Sequence, residues 1–195
     1  MRWLGVDVGG PRKGFDVALI DDREVLELRS RLGTSDVVAL VEAARPDVVG
    51  IDSPCACAPD GETSRAGERA LARAVCGIRW TPDRARVRAS AYYGWVVHGL
   101  ELHAAVDGIE VFPTASWTRW LGPRGARARS DWTRAGLPAL GLAGIPARTN
   151  QDQRDALAAA VTARQHARGE TEAFGAIYVP RQGRRRGTHA GTARR

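Results

Sequence analysis

Lysine is almost absent from this sequence: 28 of its 29 basic residues are arginine, and only Lys13 is lysine. We attribute part of the arginine count to codon bias, so that the number of arginines alone says little about binding partners. Cysteine is also scarce, and an odd number of cysteines (Cys55, Cys57 and Cys76) predicts reduced thiols. A zinc site is not predicted, because Cys55 and Cys57 lack a second cysteine pair at zinc spacing and a neighbouring histidine.

Long apolar runs are missing as well. No run approaches the ~20 residues that a transmembrane helix needs, and the start of the chain has no basic segment followed by an apolar one of the secretory kind. We therefore expect a cytoplasmic protein without a membrane partner. The length of 195 residues suits one domain with a real core, and 44% apolar and 26% charged residues are typical of a soluble globular protein.

The positive charge is distributed unevenly. The formal net charge is +7, but residues 181–195 contain six arginines and no acidic residue, which leaves 23 basic against 22 acidic residues in 1–180. Residues 1–60 hold 7 basic and 11 acidic residues, whereas residues 61–150 hold 13 and 7. We predict that 181–195 is a disordered basic tail and that it binds nucleic acid in a salt-sensitive way, without sequence preference.

The start of the chain predicts a β-hairpin. An apolar strand over residues 3–8 is followed by a glycine-rich turn and a second strand over residues 15–20. Asp7 is out of place in the first strand, because a buried carboxylate is costly unless it meets a cation or several donors. Asp7 therefore lies at a mouth of the sheet or binds something, and Gly9 and Gly10 favour binding because they let a phosphate or a metal-bound substrate approach the backbone.

A second aspartate follows a second buried strand. Residues 24–31 predict a third strand, a helix capped by Thr34 or Ser35 runs to Pro46, and the apolar run 48–51 suits a central parallel strand that ends at Asp52. In open α/β sheets, ligands bind beyond the strand ends, so adjacent strands would bring Asp7 and Asp52 together. A fifth strand over residues 109–113 contains another candidate, Glu110.

The middle of the chain is rich in arginine, and its pattern leaves two interpretations open. Arg65, Arg69 and Arg73 recur every four residues on one face of a predicted helix, and Trp80 follows. The region is either a solvated face or a phosphate-contacting lobe with an aromatic ring available for stacking. Beyond a predicted helix at 89–106, residues 116–130 are predicted to be a loop that carries Arg119, Arg124, Arg127 and Arg129.

The clearest predicted helix spans residues 152–168 and follows a short predicted helix at 131–142. Asp152 and Asp155 are three residues apart and therefore share one face in its first turn. Alone, the pair is explained by the helix dipole. Together with Asp7 and Asp52 it indicates a site. Residues 174–179 predict a last edge strand.

The order of these elements resembles the ribonuclease-H-like fold. Residues 5–10 and 14–18 resemble the first hairpin of RuvC-type resolvases, and Asp152-x-x-Asp155-Ala156-Leu157-Ala158 resembles the acid pair that opens their last helix. Residues 50–54, 109–113 and 155–157 are similar to motifs of the predicted nuclease family known as domain of unknown function four-twenty-nine. The resemblance covers residues 4–180. It implies an α/β domain over residues 1–180 with a mixed five-stranded sheet, antiparallel strands followed by parallel ones, helices on both faces, and a helical arginine-rich insertion at about 55–106.

The resemblance also implies hydrolysis of DNA or RNA phosphodiester bonds with two Mg²⁺ or Mn²⁺ ions, which the repulsion among converging carboxylates favours independently. Asp7 would bridge the ions, one shared with Asp152 or Asp155 and the other with Asp52; resolvases usually have Glu at the position of Asp52. Glu110 is a further candidate metal ligand. The predicted substrate-binding residues are Gly9, Gly10, Lys13, Arg65, Arg69, Arg124 and Arg127.

Two other functions are compatible with the same fold. A non-catalytic nucleic-acid-binding or scaffold protein would use these acids only at helix caps and strand ends. A phosphotransferase of the sugar-kinase and actin type shares the Asp-x-Gly-Gly hairpin, but it needs two copies of the fold and this chain has room for one. The sequence predicts neither the choice between DNA and RNA nor the oligomeric state.

Overall fold

A computed structural model describes residues 1–182 of the chain, so that most of the predicted tail at 181–195 lies outside the described residues. The strands are β1 (Trp3–Val8), β2 (Phe15–Ile20), β3 (Val25–Leu32), β4 (Val48–Asp52), β5 (Ile109–Val111), β6 (Thr171–Phe174) and β7 (Ile177–Pro180). The helices are α1 (Thr34–Ala44), α2 (Ala66–Ala74), α3 (Arg84–Ala89), α4 (Gly94–Ala105), α5 (Pro113–Leu121), α6 (Arg129–Gly136) and α7 (Gln151–Ala167). Two short 3₁₀ turns cover Ala91–Tyr93 and Leu137–Leu140. Among the helices of this part of the chain, none is long and apolar enough to cross a membrane.

The sheet is mixed and has the strand order β3-β2-β1-β4-β5-β7-β6. The pairs β1–β2, β2–β3 and β6–β7 are antiparallel, whereas β1–β4, β4–β5 and β5–β7 are parallel. The prediction of five strands was wrong, because the sheet has seven. Gly175, with a φ of 62°, turns the segment predicted as a single edge strand into a two-residue hairpin. Its second strand, β7, joins β5, and β6 forms the edge.

Helices cover both faces of the sheet, as predicted. On one face, Trp3, Ala18 and Ile20 pack against α7 through residues such as Ala156 and Leu157. Leu4, Val6 and Val17, which alternate with them along the strands, pack on the other face against residues of α1 and α4 such as Val37 and Leu102. Because side chains alternate along a strand, Asp7 lies on the same face as Trp3, the face that α7 covers.

Two glycines bring α7 into backbone contact with the sheet. A Cβ atom on Gly5 would lie 2.1 Å from the carbonyl oxygen of Ala156, and one on Gly50 would lie 2.7 Å from that of Ala159. No other residue fits at either position without moving the helix. The first turn of α7, which carries Asp152 and Asp155, is thereby held at a fixed height above β1 and β4.

The prediction of a loop over 116–130 was wrong, because α5 extends to Leu121 and α6 begins at Arg129. Pro113 occupies the first turn of α5, where its missing N–H and fixed φ favour a helix start. Ala115 and Trp117 are fully buried and give α5 its apolar face. This apolar face is not recognisable in the sequence, because the buried residues of α5 are too few to give a clear helical periodicity among the arginines that follow.

Candidate metal centre

Three aspartates lie side by side on three adjacent strands. Asp7 on β1 is the register partner of Asp16 on β2 and of Asp52 on β4. Register partners project from the same face of a sheet, so all three side chains lie on the α7 face. Asp16 was not among the predicted site residues. The predicted hairpin could have identified Asp16, because strands at 3–8 and 15–20 joined by a six-residue turn place residue 16 opposite residue 7.

The first turn of α7 adds two more carboxylates. Asn150 caps the helix by accepting a hydrogen bond from the Gln153 amide at 2.7 Å, and the Gln153 side chain accepts one from the Asn150 amide at 3.0 Å. One oxygen each from Asp7, Asp16 and Asp152 lie within 4.8 Å of one another. We call these three residues the acidic triad. Oxygens at this separation can share one hard divalent cation.

Basic and polar side chains hold two members of the triad. Lys13 Nζ lies 2.8 Å from Asp152 Oδ1. Ser30 Oγ donates a hydrogen bond to Asp16 Oδ1 at 2.5 Å and accepts one from Gln153 Nε2 at 3.2 Å. Asp7, in contrast, receives no side-chain hydrogen bond or ion pair from any residue in 1–182, although it is only 9% exposed. It is the triad member whose charge most needs a cation.

Asp155 and Asp52 lie outside the triad and differ from each other in their contacts. Asp155 Oδ2 accepts hydrogen bonds from Arg129 at 2.8 Å and from Gln151 at 3.0 Å, and Oδ1 accepts one from Trp117 Nε1 at 3.2 Å. Asp52 has no side-chain partner within the described part of the chain. Asp155 is therefore held in place by three donors, whereas Asp52 is available to a ligand.

Burial, together with the crowding of carboxylates, shifts the protonation of the aspartates at this site. Burial raises the pKa of Asp7 to about 8, with further contributions from the charges of Asp155 and Asp152 that Lys13 partly offsets. Burial, followed by the charges of Asp7 and Asp155, raises the pKa of Asp52 well above its usual range. Burial also raises the pKa of Asp155, against the lowering effect of Arg129. Strongly raised carboxylate pKa values in a cleft are typical of a functional site.

The metal-free protein should lose stability as the pH rises. The pKa of Asp7 rises from an ordinary 3.8 to about 8 on folding, so between these values the folded state keeps a proton that the unfolded state has released. The free energy of unfolding then falls with rising pH, by up to about 1.4 kcal/mol per pH unit for this group. Urea denaturation in EDTA between about pH 5 and pH 8 measures the slope. A slope equal to that of Asp7→Asn under the same conditions would contradict the burial of an unpaired Asp7.

A cavity of about 680 Å³ opens beside the triad. Of the predicted substrate-binding residues, Gly9, Gly10, Lys13 and Arg65 line it. The cavity lining does not include Arg69, Arg124 or Arg127. Arg69 contacts Glu62 and Ser64, and the Arg127 guanidinium donates to the carbonyl oxygens of Arg124 and Pro123. Two further arginines, Arg79 and Arg129, line the cavity.

Glu110 and Arg65 contact each other. Arg65 Nη1 and Nη2 lie 2.7 and 2.5 Å from the two carboxylate oxygens of Glu110, which also accepts from the Cys55 amide at 3.0 Å. Glu68 Oε1 accepts from Arg65 Nε at 3.0 Å, so that two buried glutamates flank one guanidinium. Burial alone would lower the pKa of Arg65, but the hydrogen bond and charge of Glu110 raise it overall. Glu110 pairs in register with Ile51 rather than Asp52, and it lies outside the triad.

Comparisons with known proteins identify the fold. RuvC of T. thermophilus in complex with a Holliday junction substrate is 15% identical to this chain, with a TM-score of 0.52, and the match covers 87% of this chain and 96% of that one. A second Thermus thermophilus RuvC structure, 17% identical over the same shares of both chains, has a TM-score of 0.47. No protein-family model matches the chain, and no curated protein matches it. The predicted mixed α/β fold, with helices on both faces of a mixed sheet and similar to that of RuvC, is confirmed by the first of these structures.

Proposed function

We propose that this protein is a divalent-metal-dependent nuclease that hydrolyses phosphodiester bonds in nucleic acid, and that it belongs to the family known as domain of unknown function four-twenty-nine. The observation that carries the proposal is the acidic triad on a RuvC-like fold, with three carboxylate oxygens within 4.8 Å of one another. We further propose that residues 1–180 form one domain in which about 55–106 is an insertion.

The residues at the site suit Mg²⁺ or Mn²⁺. The acidic triad and Asp52 offer carboxylate oxygens, which hard divalent cations prefer. Asp7 and Asp52 have no side-chain partner within residues 1–182, and a buried carboxylate without a partner costs several kcal/mol or so unless a proton or a cation neutralises it. Asp7, Asp16 and Asp152 would hold one ion, and Asp7 with Asp52 would hold another.

The protein's own groups would bind and orient the substrate. Bound ions would supply Lewis-acid activation of the attacking water and charge stabilisation at the leaving oxygen. The Arg79 side chain, which is exposed at the cavity, is placed to contact a phosphate of the nucleic acid backbone. Arg129 lines the same cavity and holds Asp155 through its ion pair, so that Asp155 acts on the site through its charge and position.

A panel of labelled single-stranded, duplex and branched DNA and RNA tests this proposal. We expect cleavage of at least one substrate with Mn²⁺ or Mg²⁺ and none with EDTA, because carboxylates alone cannot neutralise the charge that develops in phosphodiester hydrolysis. Arg79→Met should weaken binding of every bound nucleic acid and lower its salt dependence. Absence of cleavage from the whole panel with either metal would overturn the proposal.

The alternative is a non-catalytic nucleic-acid-binding protein of the same fold. One observation favours it: ion pairs with Lys13 and Arg129 already engage Asp152 and Asp155. Salt-sensitive binding without cleavage, together with no gain in melting temperature on adding Mn²⁺, would support this alternative.

A further inference from the structure

The chain's one lysine lies beside its acidic triad. We propose that the Lys13 ammonium is a built-in counter-cation of the triad, which a divalent ion must displace in order to bind. This inference rests on the proposed metal site and adds a residue that lowers the affinity of that site for divalent ions. Lys13 would then set the concentration of free metal at which the site fills.

The hairpin turn aims Lys13 at the triad. Its amide donates to the carbonyl oxygen of Gly10 at 2.8 Å, and the amide of Gly14, which has a φ of 72°, donates to the same oxygen at 3.1 Å. A Cβ atom on Gly9 would lie 3.0 Å from both Cβ and Cδ of Lys13. The stem of Lys13 therefore packs over a position that only glycine leaves open, and the turn directs its ammonium toward α7.

The ammonium acts on the whole triad. It lies 2.8 Å from Asp152 Oδ1, and its charge lowers the pKa of Asp7. Burial would lower the pKa of Lys13, but the hydrogen bond to Asp152 and the charges of Asp7 and Asp16 raise it overall. No other basic side chain forms an ion pair with a triad member in the part of the chain that the structure describes. The lysine therefore supplies the positive charge that a bound ion would otherwise provide.

Lysine suits this role better than arginine does. An ammonium is a compact point charge on a flexible stem, whereas a guanidinium is a planar fork that binds two oxygens in a fixed geometry. The side chain of Lys13 is 54% exposed, so that it can swing into solvent without unpacking the core. Its occurrence as lysine, in a chain that uses arginine at the other 28 basic positions, is consistent with a requirement for a charge that a metal ion can replace.

Isothermal titration of Mn²⁺ into wild type, Lys13→Met and Arg12→Met tests the inference. An exposed ion pair is worth up to about 1 kcal/mol, so Lys13→Met should bind Mn²⁺ about fivefold more tightly than wild type. Arg12 is the adjacent exposed residue of the same turn, and its loss removes one charge without removing a contact to the triad. Arg12→Met should therefore leave the affinity within about twofold of wild type.

Thermal melting separates this role from a purely structural one. Lys13→Met should melt below wild type in EDTA and close to wild type in saturating Mn²⁺, because the ion then takes over the neutralising role. An equal deficit under both conditions, or an unchanged Mn²⁺ affinity, would overturn the inference while leaving the metal site intact. If neither wild type nor Lys13→Met bound Mn²⁺, the proposed function would fail along with the inference.

Discussion

Asp7→Asn should abolish metal-dependent cleavage while leaving the fold intact. Asp7 is the register partner of both Asp16 and Asp52, and it alone would contact both ions in the proposed arrangement. Removing a group that stabilises transition-state charge costs about 10²–10³ in rate, and we expect at least this loss. Asparagine has the same shape, and it removes a buried charge that repels its neighbours, so Asp7→Asn should be more stable than wild type in EDTA at about pH 8.

Single-turnover cleavage with Mn²⁺, urea denaturation and Mn²⁺ titration together check this expectation. Asp60→Asn is a matched control, because Asp60 is exposed and receives no side-chain hydrogen bond or ion pair from the described residues. It should match wild type in all three measurements. Full cleavage by Asp7→Asn would refute the assignment of Asp7 to the chemistry.

Arg65→Met should destabilise the protein by about 3–5 kcal/mol, because it leaves two buried carboxylates without their cation. Glu110 is 4% exposed and Glu68 is 1% exposed, and Arg65 bonds both. Arg73→Met, eight residues further along, removes an exposed side chain that forms no hydrogen bond or ion pair with the described residues. That substitution should change the stability by about 0.5 kcal/mol or less. Urea denaturation at neutral pH measures both changes.

Glu110→Gln then separates two roles for Glu110. If this carboxylate only balances Arg65, the variant should lose stability and keep its Mn²⁺ affinity. If it is a metal ligand, as the sequence-based hypothesis has it, the affinity should fall by about tenfold or more. The double variant Arg65→Met, Glu110→Gln should be more stable than Arg65→Met alone, because it restores one of the two unpaired buried charges to neutrality.

The sequence allowed prediction of those parts of the site that depend on local pattern. The hairpin at 3–20 and the helix that carries Asp152 and Asp155 form where predicted, since two short apolar runs around a glycine-rich turn specify the first and a cap specifies the start of the second. The strand count could not be predicted in the same way, because β6 and β7 have only four residues each and derive their stability from pairing.

Contacts distant in sequence were beyond prediction. Arg65 and Glu110 are 45 residues apart, and Arg129 and Asp155 are 26 apart. A pattern of arginines indicates which side of a helix they share, but it does not show which acid each one meets. Asp16 was missed for a different reason, because it required reading the hairpin's register as well as its strands.

The contact of α7 with Gly5 and Gly50 links the geometry of the candidate metal site to backbone packing outside that site. Helix and sheet touch backbone to backbone, one to two turns beyond Asp152, so the helix cannot slide along the strands by a fraction of a turn to suit a larger or smaller ion. The close packing at these two glycines therefore fixes the distance between the carboxylates of the strands and those of the helix. Selectivity among divalent ions would then depend on the absence of a side chain at Gly5 and Gly50.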